Sequence, residues 1–396
     1  MKIPFGAITV TETAKRLAMQ ALETGRLSQG ALVRQLEERF AALVGAPEAV
    51  AVSSGTDAVA LALAALYDRG ARRGDQVIVP ALSFVATGNA VLQAGLEPAF
   101  VDVRRDTLNI DPDLIEPAIT PQTRAVLAVH LMGKPADMDR IDAIARRHGL
   151  AVIEDAAEAH GATYRGRNAG TLGVMGAFSL YVAHIVTSIE GGIVTTSDPA
   201  LAEVLRSLRC HGRACNCRTC LTATGKPCRR RFEHGSDIRF VFERIGFSAK
   251  MNELEAAVGL GSLERYDEIL RTRRRNLLAM IEIVDRLAPL LQTIHEEPHE
   301  RLGPHALPIV VAQDAPFTRD ELVTHLAEHG IDPRDLFRSM PTQCPGFAYL
   351  GHRLGQFPQA EYLGTHGLHV GVHQEIGPPE IEYFAQTLES FVRRRA

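Results

Sequence analysis

Four stretches of the chain hold side chains that could do chemistry. The first is the turn Tyr181-Val182-Ala183-His184, which follows an apolar run ending in Phe178-Ser179 and precedes Glu190-Gly191-Gly192. Histidine changes charge near neutral pH, so His184 can take up or give a proton. The second is Ala151-Val152-Ile153-Glu154-Asp155, an apolar run that ends on a carboxylate. The third is Ser53-Ser54-Gly55-Thr56-Asp57, leading into the Ala- and Leu-rich run 58–67. Backbone N–H groups at a helix start, with Ser and Thr hydroxyls beside them, suit a phosphate; the same residues also serve as a plain helix cap. The fourth is Cys215-x-Cys217-x2-Cys220-x7-Cys228, with Cys210 just ahead and Cys344 remote. In a reducing compartment clustered cysteines are metal ligands more often than disulfides. Four thiolates suit structural zinc or an iron–sulfur cluster.

These residues need a frame, and the chain supplies one by alternation. Two helices are expected within 10–44, where Leu32, Val33, Leu36, Phe40, Leu43 and Val44 recur at helical spacing. Strands are expected at 76–80, 98–101, 125–129 and 151–155, with helices at 84–94 and 137–149, the latter stopped by Gly149. Further strands at 175–181 and 192–196 flank the His184 turn, and a helix follows at 198–209. Apolar strands alternating with helices predict a mostly parallel sheet covered on both faces. Such sheets bind ligands at the carboxyl ends of their strands, where Asp155 and His130 fall. The stretch 210–235 has neither period and reads as an inserted loop. A long helix is expected from Met251 to about residue 287, then a strand near 307–312, a helix at 318–329, a loop through 338–360, a strand near 367–371 and a helix at 377–393. The expected division is a large α/β domain, 1–265, and a small α+β domain, 266–396.

Bulk composition bounds the rest. With 396 residues, 46% of them hydrophobic, the chain can bury a large core. A net charge of -4 gives no electrostatic footprint for nucleic acid. No run approaches the ~18 apolar residues of a membrane-spanning helix, and the start Met-Lys-Ile-Pro-Phe-Gly lacks the apolar core of a signal peptide. A cytoplasmic enzyme is expected.

The order of these features resembles the fold type I pyridoxal-phosphate enzymes, and within them the DegT/DnrJ/EryC1/StrS sugar aminotransferase/dehydratase family. The residues that carry the likeness are Gly25-Arg26-Leu27-Ser28-Gln29-Gly30, Ser53-Ser54-Gly55-Thr56-Asp57-Ala58, Val129-His130-Leu131-Met132-Gly133-Lys134-Pro135-Ala136-Asp137-Met138 and Glu154-Asp155-Ala156-Ala157-Glu158-Ala159-His160-Gly161-Ala162. The likeness continues through Ala177-Phe178-Ser179, Glu190-Gly191-Gly192, His211-Gly212 and Met251-Asn252-Glu253-Leu254-Glu255-Ala256-Ala257. It implies pyridoxal or pyridoxamine phosphate as cofactor. Asp155 would lie against the ring nitrogen and keep it protonated, and Phe84 would stack on the ring. Gly55, Thr56 and Ser179 would hold the phosphate. Asn252 would reach the phosphate of a neighbouring subunit, which implies a homodimer with shared active sites. Glu158 stands where many relatives carry a Gln that contacts the cofactor's ring oxygen, which implies a cofactor-binding place for it.

One departure redirects the expected chemistry. Aminotransferases of the family carry a cofactor-binding lysine five residues after the Ser; here that residue is His184, and no lysine occurs from 135 to 225. The pattern resembles the 3-dehydratases of the same family, which share the histidine. That likeness implies that His184 moves the proton while the C3 hydroxyl of a nucleotide-linked 4-keto-6-deoxy sugar departs. The Cys loop resembles that of the iron–sulfur type, CDP-4-keto-6-deoxyglucose 3-dehydratase, which implies a [2Fe–2S] or [4Fe–4S] cluster on Cys215, Cys217, Cys220 and Cys228 and an electron-donating reductase or ferredoxin. A second departure bears on that cluster: relatives draw one ligand from just after Glu-Gly-Gly, and Ile193 stands there. A different ligand set, with Cys220 or Cys210 completing the count, and structural zinc both stay open. So do a cluster-free dehydratase and an aminotransferase-like protein. Arg213, Arg218 and Arg229-Arg230-Arg231 could draw in an acidic partner or face the sugar's phosphates, or form a solvated basic patch. His130, His160 and His373 are further pocket candidates.

Overall fold

The computed structural model describes residues 1–218, 226–233 and 235–395. Two helices open it, α1 (Glu12–Thr24) and α2 (Ala31–Val44), followed by strand β1 (Glu48–Val52) and helix α3 (Gly55–Ala64). α2 buries Val33, Leu36, Phe40, Ala41 and Val44 on one face, the stripe expected from the sequence. Next come β2 (Gln76–Pro80), α4 (Val85–Gln93), β3 (Glu97–Val101), β4 (Thr123–Val129), α5 (Met138–His148) and β5 (Ala151–Asp155). The short strands β6 (Thr163–Tyr164) and β7 (Arg167–Asn168) precede β8 (Met175–Ser179), β9 (Gly192–Thr196) and α6 (Pro199–Leu208).

The main sheet has seven strands in the order β1-β9-β8-β5-β4-β2-β3. β9 runs antiparallel to both neighbours, β1 and β8, and the remaining pairings are parallel. This is the mostly parallel α/β sheet that the alternation predicted. The apolar runs are continuous because both faces are covered: β4, β5, β8 and β9 are buried along nearly their whole length.

The expected long helix is instead two, α7 (Glu253–Glu264) and α8 (Tyr266–Asp285), broken at Arg265 with φ -103° and ψ 6°. The physical cause lies in what each packs against. α7 is built from small residues and lies against α1 and α2: Gly259 abuts Leu36, and Gly261 abuts Thr11 and Ala14. The Glu253 carboxylate also accepts the Gly30, Leu32 and Val33 amides at 2.9–3.0 Å, closing the N-terminus of α2 from across the chain. α8 packs instead against the second sheet.

That sheet has the order β10-β12-β14-β13, from β10 (Leu291–Gln292), β12 (Ala306–Val311), β13 (Pro333–Asp335) and β14 (Gly367–Gly371). β11 (Glu300–Arg301) joins β6 and β7 in a small third sheet. Helices α9 (Arg319–Glu328), α10 (Met340–Gln343), α11 (Pro358–His366) and α12 (Pro378–Arg393) complete the chain. The stretch 338–360, expected as loop, therefore holds α10, a 3-10 turn at Pro345–Leu350 and the start of α11. The N-terminus lies against this sheet: Ile3 pairs with Ile331.

Candidate active site

Strand register gathers the site. Val129, Asp155 and Ala177 align across β4, β5 and β8, while Ser179, Gly192 and Val52 align across β8, β9 and β1. The carboxyl end of β5 thus comes level with the segments that lead into α3 and into the His184 turn. Two glycines permit the closeness. A Cβ on Gly55 would lie 2.6 Å from Ser179 Cβ, and one on Gly192 would lie 2.2 Å from the Ser54 carbonyl oxygen. Ser54 caps α3, its Oγ accepting the Asp57 amide at 3.0 Å. The Gly55 and Thr56 amides, in the first turn, have no partner within the helix. With the Ser179 hydroxyl they form a small cradle of donors at a positive helix end.

Beside the cradle, Asp155 is buried. Thr87 donates to its Oδ2 at 2.8 Å, and the Ala157 amide to its Oδ1 at 3.2 Å. Burial pushes its pKa up despite these bonds. The carboxyl is therefore poised for a cationic partner. Phe84, one turn before Thr87, is 55% exposed, with its ring 5.4 Å from that of Phe337. An aromatic face left open beside a buried carboxyl suits a flat cationic ring.

His184 has its ring 6.3 Å from that of His160. Its amide closes a tight turn on the Tyr181 carbonyl at 2.9 Å. Its Nδ1 is buried with no hydrogen-bond partner among the described residues. Burial, then the neighbouring His160 and Arg273, lower its pKa to about 3. Arg273, on α8, donates to the Ala183 carbonyl at 3.2 Å, while its own Nε and Nη1 lack partners among the described residues. His160 Nε2 lies 2.9 Å from the Ser179 carbonyl, and burial pushes its pKa to about 4.

Three residues of this cluster escape sequence reasoning: Thr87, Arg273 and His305. His305, just ahead of β12, lies with its ring 5.0 Å from that of His184 and tilted by 32°. Its Nε2 is 3.4 Å from Glu158 Oε1. Glu158 also accepts the Met132 amide at 2.8 Å, and burial raises its pKa to about 8. Local pattern marks none of the three; the packing of α8 and β12 beside the His184 turn brings in Arg273 and His305, and the bond to Asp155 marks Thr87.

Other expectations resolve differently. His130 is a satisfied core residue, with Nε2 2.9 Å from Glu154 and Nδ1 accepting the Ala136 amide. His373 bonds the Pro4 carbonyl. Asn252 caps α7 in a capping box with Glu255, which commits its Oδ1 and leaves its Nδ2. Cys215 and Cys217 bring their sulfurs to 3.6 Å. Arg230, two residues after Cys228, lies close enough to feel the charge of both. Cys220 falls outside the described residues, and among those described no group of three His, Cys, Asp or Glu could hold a metal. Arg218 pairs with Glu48, Arg230 with Glu233 and Arg231 with Asp237, so these cations already have protein partners.

Comparison with known proteins assigns this arrangement to a family. The model of the DegT/DnrJ/EryC1/StrS aminotransferase family matches residues 9–389. The chain belongs to that family. It is 35% identical over 404 residues to dTDP-4-dehydro-2,6-dideoxy-D-glucose 3-dehydratase of Saccharopolyspora spinosa, covering 99% of this chain and 86% of that protein. It is 34% identical over 381 residues to GDP-4-keto-6-deoxy-D-mannose 3-dehydratase of Yersinia pseudotuberculosis, covering 94% and 95%. A GDP-perosamine synthase of Caulobacter vibrioides is 35% identical over 376 residues, covering 94% and 93%. Among solved structures, the E. coli GDP-4-keto-6-deoxy-D-mannose-3-dehydratase with bound hydrated PLP superposes with a TM-score of 0.87 at 30% identity, covering 98% of this chain and 99% of that one. The fold is thus that of the fold type I pyridoxal-phosphate enzymes.

Proposed function

We propose that this protein is a pyridoxamine phosphate-dependent 3-dehydratase of a nucleotide-linked 4-keto-6-deoxy sugar, with His184 as its acid/base. The observation that carries the reading is His184 itself, five residues after Ser179, with an unpartnered buried Nδ1 where an aminotransferase needs its lysine. The similarity to two 3-dehydratases over nearly the whole chain supports it.

The residues fit the cofactor. The cradle of Gly55, Thr56 and Ser179 offers phosphate donors, brought together because Gly55 carries no Cβ to collide with Ser179. Asp155 offers a buried carboxyl, and Phe84 an open aromatic face. When bound, pyridoxamine phosphate supplies an amine for the sugar's ketone and a ring that accepts an electron pair. Asp155 holds the proton on the ring nitrogen. His184 is neutral and so in its base form. It takes a proton from the cofactor's C4′ carbon and hands one to the departing C3 oxygen. The phosphates of cofactor and nucleotide bring negative charge, which moves the His184 pKa back toward neutral.

Cys215, Cys217, Cys220 and Cys228 would hold an iron–sulfur cluster, which supplies single electrons when bound. The 3.6 Å sulfur pair and the nearby Arg230 support a common site. A reductase or ferredoxin is the partner this requires. The assembly is a homodimer with shared sites, a reading supported by the large apolar side chains exposed between 232 and 245. A second reading, a cluster-free dehydratase with structural zinc, is favoured by Ile193, which stands just after Glu-Gly-Gly. Anaerobic purification with iron, sulfide and zinc analysis separates the two. A visible band that bleaches with dithionite, with iron and sulfide, supports the cluster; zinc without iron and turnover driven by glutamate overturn it.

A further inference from the structure

Behind His184 lies a pair of buried titratable groups that the reaction above does not use. His305 Nε2 sits 3.4 Å from Glu158 Oε1, and the His305 ring is 5.0 Å from His184. The other Glu158 oxygen is tied to the Met132 amide at 2.8 Å, so Oε1 is the oxygen that faces His305. The His305 and Glu158 side chains are only 6% and 14% exposed. Burying a carboxyl and an imidazole at such a loose contact costs stability, and an apolar pair would pack at least as well. A structural role explains the pair poorly.

We propose that Glu158 and His305 form a proton store for His184; this rests on the reading of His184 as the acid/base. In the forward step the Glu158 carboxyl gives its proton to His305 Nε2. His305 passes one on from its other ring nitrogen to His184, whose ring lies 5.0 Å away. His184 delivers it to the C3 oxygen, which leaves as water. The proton that His184 takes from the C4′ carbon returns by the same route, so Glu158 ends the cycle protonated and no net proton is consumed.

The surroundings favour this distribution. Glu158 faces Asp155 from β5, a like charge, along with His305 and the Met132 amide. Burial and Asp155 raise it to about 8, so at neutral pH it carries its proton. His305 faces His184, His160, His369 and Arg273, with Phe5 at 6.3 Å. Burial and these groups hold it well below the ordinary range, so at rest it is neutral and the stored proton stays on Glu158.

The test begins without cofactor. ¹⁵N-histidine spectra of the cofactor-free protein are recorded from pH 5 to 9.5, with His305→Gln used for assignment. The His305 ring signals are expected to move in one step on the alkaline side, as Glu158 loses its proton. In Glu158→Gln that step is expected to vanish while the histidine signals otherwise keep their positions. A step that persists in the variant, or His305 signals that do not move in the wild type, overturns the proposal. With cofactor and substrate, both variants are expected to lose kcat by roughly ten- to hundredfold with KM little changed. Glu158→Gln should also lose the alkaline limb of the pH profile. Unchanged kcat and profile in a folded Glu158→Gln protein would overturn the store. Dehydration that survives His184→Asn would instead sink the underlying function, and the spectra would stand apart from it.

Discussion

Gly192 shows how little space the site has. A Cβ there would overlap the Ser54 carbonyl oxygen at 2.2 Å. Gly192→Ala must therefore push β9 away from the cradle. It is expected to cost about 1–3 kcal/mol, read as a lower denaturation midpoint, and to weaken pyridoxamine phosphate binding in titration. Buried titratable groups make stability depend on pH in two opposite senses. His160 falls from 6.5 unfolded to about 4 folded, so between those values the unfolded chain binds more protons and acid favours unfolding. Glu158 rises from 4.5 to about 8, so the folded chain binds more protons there and stability is lost as pH climbs through that window. Between about 4.5 and 6.5 these two contributions cancel, and His184 and His369, both lowered to about 3, tip the balance toward loss in acid. Urea midpoints are therefore expected to fall from pH 6.5 toward 4 and again toward 8. Glu158→Gln should flatten the alkaline fall, and His160→Gln the acid one. His184→Lys restores the residue type that its aminotransferase relatives use. It is expected to bind pyridoxal phosphate covalently, seen by mass spectrometry after borohydride reduction.

At the scale of elements, α7 does two jobs through adjacent residues. Asn252 caps it, and Glu253 caps α2. Asn252→Ala should cost about 1 kcal/mol through the lost cap. Asn252→Asp keeps the cap but adds negative charge. If Asn252 also reaches the partner's phosphate, Asn252→Asp binds pyridoxamine phosphate more weakly with its melting temperature unchanged. Equal affinity in that variant confines Asn252 to capping. The central strands and their helices were legible because continuous apolar runs alternated with amphipathic ones. β10, β11 and β13 were not, since two or three residues carry no period. α10 and α11 were hidden by their prolines, Pro341 and Pro358, which break a helix interior but suit its first turn. The break at Arg265 left no Gly or Pro to read. Within the site, Gly55, Thr56, Asp155, Ser179 and His184 were legible because each stands beside a strand end or helix start. His305 and Arg273 were not, because only the tertiary packing of β12 and α8 brings them to the turn.

Over the whole molecule, the segment after the Cys loop leaves Phe232, Phe240, Phe242 and Ile245 exposed by 64%, 68%, 54% and 81%. Large apolar side chains that close in sequence rarely face water without a partner. Sedimentation of the intact protein is expected to give a dimer, and Phe242→Glu with Ile245→Glu a monomer that loses activity; a monomeric wild type would contradict the shared-site reading. No described helix is long and apolar enough to cross a membrane. The proposed reaction breaks one bond, the one between C3 of the sugar and its oxygen. The most direct test supplies a 4-keto-6-deoxy nucleotide sugar labelled with ¹⁸O at C3 to the pyridoxamine phosphate-loaded protein, under reducing anaerobic conditions and again with glutamate. The label is predicted to appear in water with the wild type and to stay on the sugar with His184→Asn. Retention of the label by the wild type, with an amino group gained at C4, would contradict the account.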